Sequence, residues 1–120
     1  MADPREALPK ILAFDGCLGC CLVDSVTGEL LGTAGGDGLD LELAAARTTE
    51  AVRSQRATLQ ALGGTERIED MLVTLGRQYH LIRTLGSNDA VFLYVVLDKA
   101  RANLAMTRHQ LAAIERELVV

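Results

Sequence analysis

All three cysteines of the chain fall in one short run, at Cys17, Cys20 and Cys21, and Cys17-x-x-Cys20 has the spacing of redox and zinc sites. Such sites need both sulfurs to converge, as at a helix start or in a tight knuckle. The surrounding segment, Gly16 to Asp24, is apolar at nearly every position and reads as a strand covered on both faces. Residues three apart on a regular strand point to opposite sides. No second Cys or His pair follows, and His80 and His109 stand alone as surface positions. The cysteines are therefore expected to pack as small hydrophobes, with a Cys-based redox or metal protein as the lesser alternative. An odd count without a secretion signal also argues against a disulfide framework.

Three other patterns invite chemistry. Gly32-Thr33-Ala34-Gly35-Gly36-Asp37-Gly38 follows a strand and precedes a helix, where backbone amides can cradle a phosphate. It lacks the Gly-Lys-Ser/Thr ending of a phosphate loop, and Asp37 would repel an anion, so a connector is expected. Asp24, Ser25 and Thr27 combine acid and hydroxyl groups but have no histidine nearby in sequence, so they read as a turn. Arg47, Glu50, Arg53, Ser54 and Arg56 line one side of a long helix. That side is either a solvated face or a partner-docking surface, since arginine is enriched in interface hot spots. No catalytic residue, cofactor site or metal site emerges, and an enzyme is not expected.

The elements that must position these residues follow from periodicity. Pro4 to Ala13 is a short amphipathic helix behind an Asp3 cap, although Pro9 lies inside it. Gly16–Asp24 and Glu29–Ala34 form a hairpin around Gly28. Leu41, Ala45, Thr48, Val52, Gln55, Leu59 and Leu62 make one seam of a helix that Gly63-Gly64 stops. Arg67–Leu75, Arg77–Leu85 and Ala90–Asp98 form an antiparallel meander whose last strand, apolar on both faces, is central. Asp98 is expected to cap a final helix, Lys99–Leu118, with the stripe Leu104, Thr107, Leu111, Ile114 and Leu118.

With 120 residues, the chain fits one domain over residues 1–120. It is 49% apolar, 23% charged and carries a net charge of −4. That is more apolar material than one small core readily hides, and a large exposed apolar patch marks an interaction surface. The acidic balance and the lack of a basic cluster exclude nucleic acid as a partner. Apolar runs such as Val91–Leu97 are too short to span a bilayer, and the charged N-terminus is no signal peptide. A cytoplasmic location is expected, with no membrane insertion.

The α-β-β-α-β-β-β-α order, taken with three segments, resembles the Roadblock/dynein-light-chain family of profilin-like architectures. The segments are Gly16-Cys17-Leu18-Gly19-Cys20-Cys21-Leu22-Val23-Asp24-Ser25, the glycine-rich connection into a long Ala-rich helix, and Val95 to Arg108. The last holds Asp98-Lys99, Asn103-Leu104 and Arg108 together. The resemblance implies an α/β (α+β) fold: a five-stranded antiparallel sheet with the long helix on one face and both terminal helices on the other. It also implies a homodimer in which third strands pair edge to edge and the long helices lie side by side. Ile68, Met71, Leu72 and Val73, with Leu41, Ala45 and Val52, would then form the seam. An exposed strand edge is a ready template for a second chain. Bacterial members of the family regulate Ras-like small GTPases, whereas others are subunits of motors or scaffolds. The expected function is a non-catalytic homodimeric adaptor that biases the nucleotide state of a small GTPase; the alternative is a structural subunit of a larger signalling or motor-type complex without a GTPase.

Overall fold

The computed structural model describes residues 2–120. Its elements are α1 (Pro4–Leu12), β1 (Cys17–Asp24), β2 (Leu30–Gly35), α2 (Leu41–Ala61), β3 (Asp70–Thr74), β4 (Gln78–Thr84), β5 (Val91–Asp98) and α3 (Leu104–Glu117). The strands form one antiparallel sheet in the order β2-β1-β5-β4-β3, with β5 at its centre. Seven consecutive residues of β5, Val91–Leu97, are buried. A helix therefore has to lie on each side of that strand.

Strand alternation sends the β5 side chains into two cores. Leu93, Val95 and Leu97 join Cys20, Leu22 and Leu81 beneath α1 and α3, where Leu8, Ile11 and Leu111 close the layer. Phe92, Tyr94 and Val96 join Cys21, Val23 and Ile82 beneath α2. The sequence order, the two-sided burial of β1 and β5 and the placement of the helices are as expected.

Helix ends follow local chemistry. The Asp3 carboxylate accepts from the Arg5 and Glu6 amides at 2.8 and 3.2 Å, and Pro4 occupies the first turn, where its missing N–H costs nothing. The helix continues through Pro9 for about one more turn and stops at Leu12. The Asp40 carboxylate caps α2 through the Leu43 amide at 3.0 Å, and Gly63 beyond its other end takes a φ of 76°.

Two boundaries and one inward-facing residue differ from expectation. Asp98 does not cap α3. Its side chain accepts from the Ala100 amide and closes a separate turn, so the helix starts later, with Asn103 accepting from the Met106 amide at 3.0 Å. β3 begins at Asp70 rather than Arg67, because the Ile68 carbonyl is taken by the Thr84 hydroxyl instead of a ladder amide. In α2 the buried residues are Leu41, Ala45, Thr49 and Val52; Thr49, not Thr48, faces inward and bonds the Ala45 carbonyl at 2.7 Å. Beyond Val52 the seam leaves the sheet, and Leu62 is 77% exposed.

Candidate functional site

The β3 border is one of the two edges of the sheet, β2 being the other. Among the described residues β3 pairs with β4 alone, in a register running from Asp70↔Arg83 to Thr74↔Tyr79. Its outer row of N–H and C=O groups faces away from the sheet. The hairpin closes where Leu75 N–H donates to the Gln78 carbonyl at 2.8 Å, leaving only Gly76 and Arg77 in the loop. α3 holds the strand from below: Arg108 donates from Nε and a terminal nitrogen to the two Asp70 oxygens at 3.0 and 3.2 Å. A two-point guanidinium–carboxylate pair fixes orientation as well as distance.

Apolar groups gather along this border. Val73 is 46% exposed and Leu75 42%, while Met71 is partly buried against the α2-side core. α2 packs across β1 and β2 and covers the far corner of its face only in part. That corner carries His80 between two partners: its Nδ1 lies 2.8 Å from the Tyr94 hydroxyl and its Nε2 2.9 Å from Gln78 Oε1. One neutral tautomer satisfies both contacts, with Tyr94 O–H donating to Nδ1 and Nε2–H donating to Gln78. Burial lowers the His80 pKa from its ordinary value and raises that of Tyr94, which the nearby Cys21 reinforces.

The structure separates the expected seam residues. Ile68, Met71, Leu72 and Val73 lie at the border, although Leu72 turns toward the terminal helices and Met71 toward α2. Leu41, Ala45 and Val52 are not seam residues. They are buried against the chain's own sheet and belong to its core. A stripe at helical spacing marks a covered face, and spacing alone does not say whether the same chain covers it.

The charged side of α2 divides as well. Arg47 and Glu50 pair with each other at 3.6 Å in the open, and Ser54 is exposed. Arg53 and Arg56 instead reach back to their own chain. Arg53 donates to the Ser25 carbonyl at 2.9 Å and to the Val26 carbonyl; Arg56 donates to Ser25 Oγ at 3.3 Å and to the Asp89 carbonyl. Ser25 is buried, and its hydroxyl donates to the Ala90 carbonyl at 2.6 Å. The two arginines thus clasp the β1–β2 turn and the β4–β5 loop to the outer half of α2. The turn is built as expected, with Asp24 accepting from Val26 N–H and Thr27 Oγ1 from Glu29 N–H.

The glycine-rich connector serves close packing. A side chain at Gly19 would come within 2.7 Å of the Gly36 Cα, so two backbones touch where β1 passes the loop into α2. The cysteines depart from the expected alternation. Pairing slips between Cys17 and Gly19, where Cys17 faces Leu97 and Gly19 already faces Val96. Leu18 is the extra residue of a bulge. It inverts the alternation, so Cys17 and Cys20 share the terminal-helix side while Cys21 lies on the other. A glycine inside an apparent strand was the available signal. Cys20's thiol, as donor, lowers the Cys17 pKa; Cys20 itself is raised by that bond and by burial, and burial pushes Cys21 up to about 12. Among the described residues no three Cys, His, Asp or Glu side chains converge as metal ligands.

A five-stranded antiparallel sheet in this order, with one long helix above and two terminal helices below, matches the Roadblock-like fold. Among solved structures the chain is similar to a Roadblock/LC7 domain from Streptomyces avermitilis (TM-score 0.83, 15% identity, covering 97% of this chain and 94% of that one). It is similar also to MglB from Myxococcus xanthus (TM-score 0.81, 20% identity, 92% and 87%) and to MglC from the same organism (TM-score 0.60, 20% identity, 94% and 93%). No described protein family and no curated protein matches the chain in sequence. At these identities the likeness establishes the fold. No helix is long and apolar enough to cross a membrane among the described residues.

Proposed function

We propose that the chain, as one domain over residues 1–120, is a non-catalytic homodimeric adaptor that binds a small Ras-like GTPase and biases its nucleotide state. The observation that carries this reading is the unpaired β3 border with Val73 and Leu75 exposed beside it. A second copy pairing there in antiparallel fashion would satisfy the free backbone groups and cover the corner around Met71, Val73 and His80. The structural neighbours support an assembling protein, for they include an MglB with a tetrameric arrangement beside a gliding protein MglB from Thermus thermophilus. The exposed Arg47, Glu50 and Ser54 of α2 would dock the partner, with Arg53 and Arg56 holding that helix to its loops.

Regulation of this kind needs differential affinity and no reacting side chain. A hundredfold preference for one nucleotide state corresponds to about 2.8 kcal/mol, a few well-placed contacts. Sedimentation at micromolar concentration tests the first half: a dimer is expected, and a stable monomer would remove the basis of the reading. Capture on the immobilised protein tests the second half. A GTPase recovered in one nucleotide state supports regulation, whereas a multi-subunit complex recovered regardless of nucleotide points to a scaffold.

A further inference from the structure

Cys17 and Cys20 share one face of β1 because of a backbone irregularity. On a regular strand, residues three apart sit about 10 Å from each other on opposite faces. The bulge at Leu18 puts both on the terminal-helix side, where Cys20 is buried and Cys17 packs against the same core beside it. Cys20 Sγ lies 3.5 Å from the Leu8 carbonyl and Cys17 Sγ 3.7 Å from that of Gly19. In the ladder Cys17 stands opposite Leu97 and Cys20 opposite Val95, so the two are next neighbours on one face of β1. Their exposure differs. Cys17 is half-buried and lines an open groove of about 580 Å³ bounded by Leu12, Gly35–Leu39 and Gln78, whereas Cys20 has no access to solvent. An accessible thiol with a buried thiol beside it is the arrangement of an attacking sulfur and a resolving sulfur.

We propose that Cys17 and Cys20 form a peroxide-responsive dithiol, with hydroperoxides entering through this groove as oxidant. The Cys17 thiolate attacks one peroxide oxygen; the O–O bond breaks, and the departing alkoxide takes up the proton that Cys17 released. Cys17 is then a sulfenic acid. The Cys20 sulfur attacks it, the S–O bond breaks as the S–S bond forms, and the hydroxide that leaves combines with the Cys20 proton as water. Two thiols lose two electrons in all, and one hydroperoxide becomes one alcohol and one water. The asymmetry of the pair supports this order, since Cys20 favours the thiolate on Cys17 while Cys20 and Cys21 stay protonated. Closing the bond draws the two Cα atoms toward the separation of about 4.4–6.8 Å that disulfides adopt, so the bulge contracts. This inference does not depend on the dimer or on a GTPase.

The test is titration of the reduced chain with hydrogen peroxide, read by thiol count under denaturing conditions and by intact mass. Loss of two of the three thiols with a mass decrease of two hydrogens is expected, reversed by dithiothreitol. A Cys21→Ala variant should behave the same way and lets peptide mapping assign the Cys17–Cys20 link without ambiguity. Cys17→Ser should slow peroxide consumption about tenfold, because the remaining thiols are buried and protonated. Cys20→Ala should leave a sulfenic acid on Cys17 that dimedone traps; circular dichroism confirms that both variants are folded. The proposal fails if the unaltered chain gains oxygen at Cys17 while Cys20 stays free. It also fails if the new disulfide joins two chains, or if glutathione in the same tube is oxidised and no protein thiol is.

Discussion

The two faces of the sheet are finished to different degrees. Beneath α1 and α3 the apolar layer is closed, with Leu8, Ile11, Leu93, Leu97 and Leu111 all fully or nearly fully buried. The α1 and α3 ends are stitched there too, since Ala2 N–H donates to the Glu117 carbonyl and Val119 N–H to that of Ala2. On the opposite face α2 covers the β1–β2 side, and toward β3 cover gives way to half-exposed Met71, His80 and Val73. The closed face holds the chain together; the open one has area left to give a partner. Exposed apolar side chains also occur elsewhere, at Val26, Leu43, Leu62 and Met106, but at β3 they lie beside a free strand edge.

The sharpest contrast between the faces is in core energetics. Leu93→Ala should lower the unfolding free energy by about 2–5 kcal/mol in urea titration, while Val73→Ala in dilute monomer should stay within about 0.5 kcal/mol. Equal losses at both positions would mean that the open corner is already core. Concentration separates the faces next. If a second copy covers the β3 border, hundredfold dilution should lower stability by on the order of 2–3 kcal/mol per dimer, and Val73→Lys should make the melting temperature independent of concentration. Ion pairs give the third contrast. Arg83 and Glu115 meet at 2.7 Å with side chains only 16% and 13% exposed, and Glu115 also accepts from the Gly86 amide. Glu115→Ala should destabilise by about 2 kcal/mol, because Arg83 keeps its charge in a half-dry site. Glu50→Ala, on the open face of α2, should change stability by less than about 0.5 kcal/mol.

The smallest effect expected is that of pH at the open corner. Burial holds His80 below its ordinary value of 6.5, so the unfolded chain takes up the proton first. Its neutral form is the one that accepts from Tyr94. Stability should be whole above that value and fall as pH drops through it toward the lower folded value. His80→Gln should flatten this part of the curve.

Much of this architecture is written in local patterns. Continuous apolar runs gave β1 and β5, the turns on either side gave β4, and apolar residues on both faces marked β5 as central. The stripe Leu104, Thr107, Leu111 placed α3 on the sheet. What stayed hidden depends on partners distant in the chain. Leu41, Ala45 and Val52 look the same whether their own sheet or a second copy covers them. Asp98 and Asn103 are both competent caps, and only the turn closed by Asp98 decides between them. Arg53 and Arg56 read as part of a solvated face or a docking surface because Ser25, Val26 and Asp89 are brought to them only by the fold. The Cys17–Cys20 pairing rests on one extra residue, Leu18, that a strict alternation does not register.

The central position of β5 has a consequence for biosynthesis. Cys20 of β1 is aligned with Val95 of β5, so one side of the first hairpin waits for a segment much further along the chain. As the chain leaves the ribosome, β1 and β2 can pair at once, but the flank of β1 that β5 will occupy stays bare while α2, β3 and β4 are added. During that interval the nascent polypeptide displays a greasy ribbon open to pairing with a stranger until β5 arrives.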